Sequence, residues 1–126
     1  MNNLKSKIMN MKNWAVLGAT KDKDRFGYKV VNILNKNNYN VYPITPKYEK
    51  IDGLKAYDSL DEINDDIDVV NFVVNPNLGI KLIDEVIEKN INYIWLQPGS
   101  RSEELKKKAA NNSIKYIEDC IYESLK

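Results

Sequence analysis

The residues best suited to binding a ligand lie in a loop that begins at Gly18 and ends at Gly27, after a short apolar run. Gly18 permits a tight turn, and the small side chains of Ala19 and Thr20 let a ligand approach the backbone. A helix is predicted to begin near Phe26, so free backbone N–H groups and the positive end of the helix dipole face the same loop. This combination predicts an anion site that suits a pyrophosphate.

The charges of this loop have mixed signs. Lys21, Lys23 and Arg25 supply positive charge, which Asp22 and Asp24 offset in part. The loop is a poor match to the dinucleotide motif G-x-G-x-x-G, because the second glycine is absent and the third comes late. The alternative interpretation is an ordinary solvated loop, in which glycine is needed only for the turn.

A second loop distinguishes the kinds of nucleotide that such a site could hold. NAD sites place an acidic residue at the end of the second strand, where its carboxylate accepts hydrogen bonds from the ribose hydroxyls. Here that strand ends in a segment with Pro43, Pro46 and Lys47, so an ammonium group stands in place of the acid. A cation at this point favours a ligand with a phosphate on the ribose, such as coenzyme A (CoA) or NADP. The alternative is that Lys47 is one more exposed loop lysine.

Composition excludes several kinds of chemistry. The chain of 126 residues has no His and a single Cys, Cys120. Ser-His-Asp triads, His-containing zinc sites and thiolate metal clusters are therefore excluded. No nucleophile is paired with a base, so we expect neither catalytic residues nor a metal site. We interpret Cys120 as a packed side chain near the last strand rather than a redox-sensitive thiol or a partner for the CoA thiol.

Charge and hydropathy restrict the partners. The chain has 19 basic and 18 acidic side chains, a net charge of +1, which gives no broad attraction to nucleic acid or to an anionic membrane. The longest apolar runs are a few residues long, far short of the roughly 20 that span a bilayer. The N-terminal segment lacks the apolar core of a secretion signal, so we expect a cytoplasmic protein.

Predicted strands and helices alternate along the chain. Apolar runs bounded by Gly, Pro or Asn are typical of strands buried on both faces, and they occur at residues 13–18, 39–44, 68–74, 93–96 and 114–117. Apolar residues at helical spacing predict helices over residues 27–38, after Asn75-Pro76 and after Ser102. A short strand over residues 55–57 and a helical turn over residues 58–63, with capping-box spacing from Ser59 to Glu62, are predicted between the second and third of these runs.

This alternation predicts the α/β class: a single doubly wound domain with a mainly parallel sheet of five to six strands and helices on both faces. In such a sheet, ligands bind beyond the carboxyl ends of the strands, where the connections diverge. Four loops are expected to surround that groove, at residues 18–27, 43–47, 74–76 and 97–99.

Several segments carry a family resemblance. They read AVLGAT at residues 15–20, VYPITPK at 41–47, GLKAYDSL at 53–60, DVV at 68–70 and WLQPG at 95–99. Together they resemble the stand-alone CoA-binding protein family, whose members are similar to the CoA-binding domain of the succinyl-CoA synthetase α subunit. The resemblance is collinear over residues 13–122, and the stretch IEDCIYE at 117–123 resembles the Cys-containing C-terminal stretch of that family.

We treat residues 1–12 as an N-terminal appendage, for which the sequence leaves open a frayed helix or an ordered segment. The resemblance implies a Rossmann-like domain over residues 13–126. It implies noncovalent binding of CoA or an acyl-CoA, with no catalysis by this chain alone. The implied ligand-binding residues are Gly18, Ala19, Thr20, Lys21, Arg25, Phe26 and Gly27 after the first strand, Pro43, Pro46 and Lys47 at the end of the second, and Val74, Asn75, Pro76, Gln97, Pro98 and Gly99 across the groove.

Two other functions stay open on the sequence. One is an enzyme that uses an NADP-type nucleotide, which the absent second glycine and the lack of a substrate domain disfavour. The other is a regulatory or scaffolding module whose groove is vestigial and whose helix faces contact a protein partner.

Overall fold

The computed structural model describes residues 3–126. In chain order, the elements are α1 (Asn3–Met9), β1 (Asn13–Leu17), α2 (Phe26–Lys36), β2 (Asn40–Ile44), β3 (Lys50–Ile51), β4 (Leu54–Lys55), a 3₁₀ turn (Leu60–Glu62), β5 (Val69–Phe72), α3 (Pro76–Glu88), β6 (Tyr93–Leu96), α4 (Glu103–Asn111), β7 (Lys115–Glu118) and α5 (Ile121–Leu125). A five-stranded parallel sheet has the order β2-β1-β5-β6-β7, and β3 and β4 form a separate antiparallel hairpin.

The sheet is doubly wound, which confirms the predicted Rossmann-like α/β fold. Because β1 lies between β2 and β5, the chain moves to one side of β1 through α2 and later continues on its other side. Leu17 is aligned with Ile44 of β2 and with Phe72 of β5, and Phe72 is aligned with Leu96 of β6. The carboxyl ends of these strands therefore lie at one edge, where their loops surround one groove.

Apolar side chains cover both faces of the sheet. Leu17 and Phe72 pack with side chains of α3 and α4 on one face, while Trp14 and Trp95 pack with side chains of α1, α2 and α5 on the other. Both tryptophans are fully buried, and each indole N–H donates to a backbone carbonyl at 2.8 Å. Large buried aromatic side chains of this kind contribute strongly to stability, so the loops are attached to a stable sheet.

One polar side chain lies in the middle of this core. Asn71 of β5 is aligned with Val16 and Trp95 in the neighbouring strands, and its side chain is fully buried. Neither Oδ1 nor Nδ2 of Asn71 has a hydrogen-bond partner among residues 3–126. A buried amide in that state lowers stability by about 1–3 kcal/mol.

The central strand is shorter than the sequence pattern predicts. The apolar run suggests residues 68–74, but β5 ends at Phe72. The N–H of Val74 donates to Oγ of Ser100 at 3.1 Å rather than to a neighbouring strand. Val73 and Val74 consequently belong to the edge where the loops meet.

The segment after β2 differs from the prediction of one strand over residues 55–57. Here β3 and β4 form a hairpin across Asp52 and Gly53, whose φ angles of 48° and 80° suit a type I′ turn. Tyr57 follows the hairpin and lies beside β2, where its N–H donates to the carbonyl oxygen of Pro43 at 2.9 Å. The hairpin thus returns the chain to the sheet edge.

The predicted capping box is wrong. Ser59 precedes the 3₁₀ turn, but its side chain makes no capping hydrogen bond. The N–H of Glu62 donates to the backbone oxygen of Ser59 at 3.2 Å, and the N–H of Leu60 donates to Oε1 of Glu85 in α3 at 3.1 Å. A carboxylate from a distant helix therefore binds the first N–H of this turn.

The first described residues form α1, whose Ile8 is fully buried on the same face of the sheet as Trp14. Lys5 Nζ lies 2.7 Å from Oδ2 of Asp119, so this helix is also tied to the end of β7. Like the other helices within residues 3–126, α1 lacks the length and apolar character needed to cross a membrane.

Candidate functional site

A groove of about 630 Å³ lies where the loops after β1, β2, β5 and β6 meet. Its lining combines small, polar and apolar residues from all of these loops. The lining residues are Gly18, Ala19, Thr20, Asp22, Arg25, Phe26, Gly27, Thr45, Lys47, Tyr48, Val73, Val74, Asn75, Leu78, Pro98, Gly99 and Ser100.

Two glycines form the floor of the groove, and close packing requires both. Gly18 has a φ of +90°, and a Cβ there would overlap the carbonyl oxygen of Val73. A Cβ at Gly27, in the first turn of α2, would overlap the carbonyl oxygen of Gly18. The helix therefore begins directly against the turn that follows β1.

The first turn of α2 offers free donors to the groove. Arg25 is the N-cap residue, with φ −102° and ψ 151°, and its side chain makes no capping hydrogen bond. Uncapped N–H groups at the start of a helix of 11 residues, next to a lining of small side chains, suit an anion. Asp22 also lines the groove and adds a negative charge at its edge.

The loop after β1 is ordered by short hydrogen bonds of its own. Oγ1 of Thr20 accepts from the N–H of Asp22 at 3.2 Å, and Oδ1 of Asp22 accepts from the N–H of Asp24 at 3.1 Å. The N–H of Arg25 donates to the carbonyl oxygen of Asp22 at 3.1 Å. These bonds bring the loop back to the start of α2.

Tyr48 connects this loop to the loop after β2. The Thr20 hydroxyl donates to the phenol oxygen and lowers the pKa of Tyr48, and the ammonium groups of Lys47 and Lys21 lower this pKa further, against the raising effect of desolvation. Lys21 Nζ lies 5.2 Å from the centroid of the Tyr48 ring, and Lys47 Nζ lies 5.5 Å from it. Both lysines thus converge on one aromatic side chain.

The opposite wall is built by the loops after β5 and β6. Oδ1 of Asn75 accepts from the N–H of Leu78 at 2.9 Å, and Pro76 occupies the first turn, so Asn75 caps α3 where a helix was predicted. Ser100, which is 2% exposed, fixes Val74 through its hydroxyl. This wall is therefore held by side chains that bond to backbone.

An apolar recess of about 240 Å³ adjoins the groove. The two cavities share Gly18, Thr45, Val74 and Leu78. The remaining residues of the recess are Leu17, Ile44, Pro46, Asp58, Ser59, Leu82 and Glu85.

Most of the residues proposed from the sequence line these cavities, but four do not. Lys21 lies at the Tyr48 ring, and Pro43 lies within β2, where its carbonyl oxygen binds Tyr57. Pro76 lies in the first turn of α3, outside the lining. The fourth, Gln97, is turned into the core.

Gln97 is 1% exposed and contacts the C-terminal segment. Its Oε1 accepts from the N–H of Ile121 at 2.8 Å, and its Nε2 donates to Sγ of Cys120 at 3.4 Å. Gln97 thus binds the first N–H of α5, and Cys120 is a half-buried neighbour of that bond. Neither residue lines the groove or the recess.

The groove is also lined by residues that the sequence analysis did not propose as ligand-binding. They are Asp22, Thr45, Tyr48, Val73, Leu78 and Ser100. Leu78 carried a signal, because it follows Asn75-Pro76 in the first turn of a predicted helix at the ligand edge. Tyr48 carried none, because Lys-Tyr-Glu-Lys reads as an ordinary exposed loop.

A comparison with models of protein families identifies the family of this chain. The model of a family described as a CoA binding domain matches residues 12–125 of this chain. The chain belongs to this CoA-binding domain family.

Relatives of this domain occur both within long enzymes and as short chains. Over 81 residues the domain is 38% identical to an ADP-forming acetate–CoA ligase of Methanocaldococcus jannaschii, which covers 64% of this chain but only 11% of the ligase. A hypothetical protein from Pyrococcus horikoshii OT3 superimposes with a TM-score of 0.90 at 30% identity, covering 98% of this chain and 89% of that one. A conserved hypothetical protein from Pyrococcus furiosus superimposes with a TM-score of 0.84 at 32% identity, covering 90% and 99%.

Proposed function

We propose that this CoA-binding domain holds CoA or an acyl-CoA noncovalently in the groove and acts as a binding module without catalysis of its own. The observation that carries the proposal is one groove that combines a glycine turn, the uncapped start of α2 and a lysine at the end of β2. These features match the pyrophosphate and the ribose phosphate of CoA.

The pyrophosphate belongs at the glycine turn. The close contact of Gly27 with Gly18 leaves no side chain between the ligand and the first N–H groups of α2. These donors and the helix dipole favour negative charge without a large net charge on the protein. Arg25 lines the groove at the same helix end and supplies a cation that offsets Asp22.

The adenine belongs in the apolar recess. Leu17, Ile44 and Pro46 provide apolar surface next to the end of β2, and Glu85 and Asp58 supply polar atoms at the edge. A mainly apolar cavity with a few polar groups is the usual environment of a heteroaromatic ring. The recess meets the groove at Thr45, so a base and its phosphates can occupy both at once.

The thiol-bearing arm belongs along an apolar rim. Phe26 is 47% exposed and Leu78 is 43% exposed, although both are large apolar residues that line the groove. The Phe26 ring meets the ring of Tyr122 at a centroid distance of 6.3 Å. Contact with an aliphatic arm would remove this apolar surface from water.

The side chains of the groove support a role in binding rather than catalysis. The groove lining has a lysine, an arginine, hydroxyls and an aspartate, but no nucleophile bonded to a general base.

Native mass spectrometry of freshly purified protein tests the proposal first. We expect an adduct with the mass of CoA or of an acyl-CoA. Calorimetry on stripped protein should then give binding at least about tenfold tighter for CoA than for NAD or NADP. Lys47→Gln should weaken CoA binding, whereas Lys50→Gln removes the same charge from an exposed residue outside the groove and should not.

Two results would overturn the proposal. Absence of any nucleotide adduct, together with no calorimetric binding of CoA or acetyl-CoA, would leave the groove without this ligand. Tighter binding of NADP than of CoA, with turnover of the reduced cofactor, would support an enzyme instead.

A further inference from the structure

We infer that Tyr122 of α5, which lies outside the groove, is a positioning residue that holds the Phe26 ring in place for the thiol-bearing arm of the ligand. This inference rests on the proposed function, which places that arm along the rim at Phe26 and Leu78. It makes α5 a support of the ligand site, although the residues of this helix do not line the groove.

The Phe26 side chain lies at the surface, at the start of a helix. Phe26 is the first residue of α2, and the N-cap residue Arg25 makes no side-chain capping bond. The Phe26 side chain is 47% exposed although it is large and apolar. A side chain in this position loses rotamer freedom when a ligand packs on it, and that loss lowers the affinity. Contacts that fix the ring before binding therefore favour the complex.

Two neighbours restrain the Phe26 ring, and they belong to different helices. The ring of Tyr122 in α5 lies at a centroid distance of 6.3 Å and an interplanar angle of 83°, which is an edge-to-face contact. Lys29 Nζ, from the next turn of α2, lies 5.3 Å from the Phe26 ring centroid. Because a lysine side chain is flexible, the aromatic contact supplies the firmer restraint.

Tyr122 is itself attached to the core of the domain. Its neighbour Ile121 is fully buried on the face of the sheet that carries Trp95. The indole N–H of Trp95 donates to the carbonyl oxygen of Asp119 at 2.8 Å, just before α5 begins. Tyr122 is half-buried and packs against the same apolar cluster. Its contact with Phe26 therefore connects the groove rim to the core beneath the sheet.

The contact with Tyr122 leaves apolar surface for the ligand. Phe26 remains exposed with Tyr122 in place, and it lines the groove together with Leu78. The arm of CoA is a chain of methylene and amide groups, so it gains from apolar surface that is already ordered. The proposed function assigns the nucleotide part of CoA to the glycine turn and the recess. Tyr122 should therefore affect the contribution of the arm to affinity and not that of the nucleotide.

Calorimetry with two ligands tests this role of Tyr122. The ligands are CoA and the same nucleotide without the arm, which is adenosine diphosphate carrying the ribose phosphate. We expect the wild type to bind CoA at least about tenfold tighter than the arm-free nucleotide. Phe26→Ala should lower this ratio about fivefold to tenfold, and Tyr122→Ala about threefold to fivefold, mainly by weakening CoA. The double variant should lose no more than Phe26→Ala alone, because Tyr122 acts through Phe26.

Three further variants control for the fold, and thermal unfolding of each variant checks that it is intact. Tyr122→Phe keeps the ring, so the ratio should stay within about twofold of the wild type. Tyr122→Leu removes the ring but fills much of the same volume, so it should fold and still lower the ratio about threefold. Tyr116→Ala truncates a half-buried tyrosine on the opposite face of the sheet, away from the groove, and should leave the ratio unchanged.

The outcomes separate this inference from the proposed function. If the wild type binds neither ligand, both are wrong. If it binds the two ligands equally, or if Phe26→Ala leaves the ratio unchanged, nucleotide binding stands, but the place of the arm and the role of Tyr122 are wrong.

Other results would contradict the role of Tyr122 alone. If Tyr122→Ala and Tyr122→Leu weaken both ligands by the same factor, Tyr122 serves only the fold. If the losses from Phe26→Ala and Tyr122→Ala add in the double variant, Tyr122 does not act through Phe26. If Tyr122→Phe lowers the ratio as much as Tyr122→Ala, the ring contact is not the cause. In each case CoA binding stands and this inference is wrong.

Discussion

Two loops at the same edge of the sheet, after β1 and after β6, use glycine for different reasons. Gly18 and Gly99 share a φ of +90°. A Cβ at Gly18 would overlap the carbonyl oxygen of Val73, whereas a Cβ at Gly99 would meet no atom within 4 Å. Conformation alone favours glycine at position 99, while both conformation and space require it at position 18.

The difference reflects how each loop is fixed. The β1 loop is fixed by backbone packed on backbone, at Gly18 and Gly27, and its surface toward the groove consists of amides and small side chains. The β6 loop is fixed by the side chain of Gln97, which points into the core, and the residues that follow it, Pro98, Gly99 and Ser100, line the groove. Loops that border the same groove can therefore be held either by close packing of their own backbone or by a side chain that is buried in the core.

The largest expected effect comes from testing the two glycines against each other. Gly18→Ala should lower the free energy of unfolding by more than about 3 kcal/mol and abolish CoA binding, because it combines an unfavourable φ with overlap onto backbone. Gly99→Ala should lower it by about 1–2 kcal/mol, from φ alone. Urea denaturation measures both, and equal losses would contradict the distinction.

The next effect concerns Gln97. Gln97→Ala leaves the buried N–H of Ile121 without its acceptor, so the free energy of unfolding should fall by about 1–3 kcal/mol. Calorimetry should give a CoA affinity within about twofold of the wild type, because the removed side chain faces away from the groove. A variant of unchanged stability and weaker CoA binding would mean that Gln97 serves the ligand instead.

A smaller effect separates two helix caps near these loops. Asn75→Ala and Ser102→Ala each remove one side-chain cap, from α3 and α4 respectively, so urea denaturation should give a similar loss of about 1 kcal/mol for both. Only Asn75 lines the groove, so only Asn75→Ala should also weaken CoA binding. Equal effects of the two variants on binding would show that the wall at α3 has no special role.

The smallest effect depends on pH. The hydrogen bonds from Lys5 and from the N–H of Cys120 hold the pKa of Asp119 below its ordinary value, against a raising effect of desolvation. The stability that this carboxylate adds is present above its unfolded pKa and is lost as the pH falls through its lower folded pKa. Asp119→Asn should therefore cost less than about 1 kcal/mol at neutral pH, because the pair is partly exposed. Urea midpoints of both proteins should converge in acid, and a difference that widens there would contradict this assignment.

The sequence was sufficient to predict the sheet and the edge at which the groove lies. Continuous apolar runs report burial on both faces, and the caps at Asn75 and Ser102 are local motifs that the structure contains. The Ser59 capping box does not form, and the side chain that binds the start of this turn is Glu85, which is distant in the chain. Local patterns cannot report a partner that only the tertiary fold brings near.

The site was predicted less completely than the fold. The sequence does contain a signal for the direction of the Gln97 side chain. Side chains alternate between the two faces of a strand, so Gln97 continues the face of Tyr93 and Trp95 beyond the end of β6. The contact between Lys21 and Tyr48 could not be predicted from the sequence, because the two residues lie in different loops. Their relative position depends on the hairpin and on the glycine floor together.

Asn71 has a consequence for the design of more robust versions of this domain. Its amide sits between Val16 and Trp95 with no hydrogen-bond partner among residues 3–126, on the sheet face opposite α3 and α4. An aliphatic side chain of similar volume there would remove the desolvation cost while leaving every loop of the ligand edge untouched. We therefore expect one aliphatic substitution at the centre of the fold to raise the melting temperature of the domain.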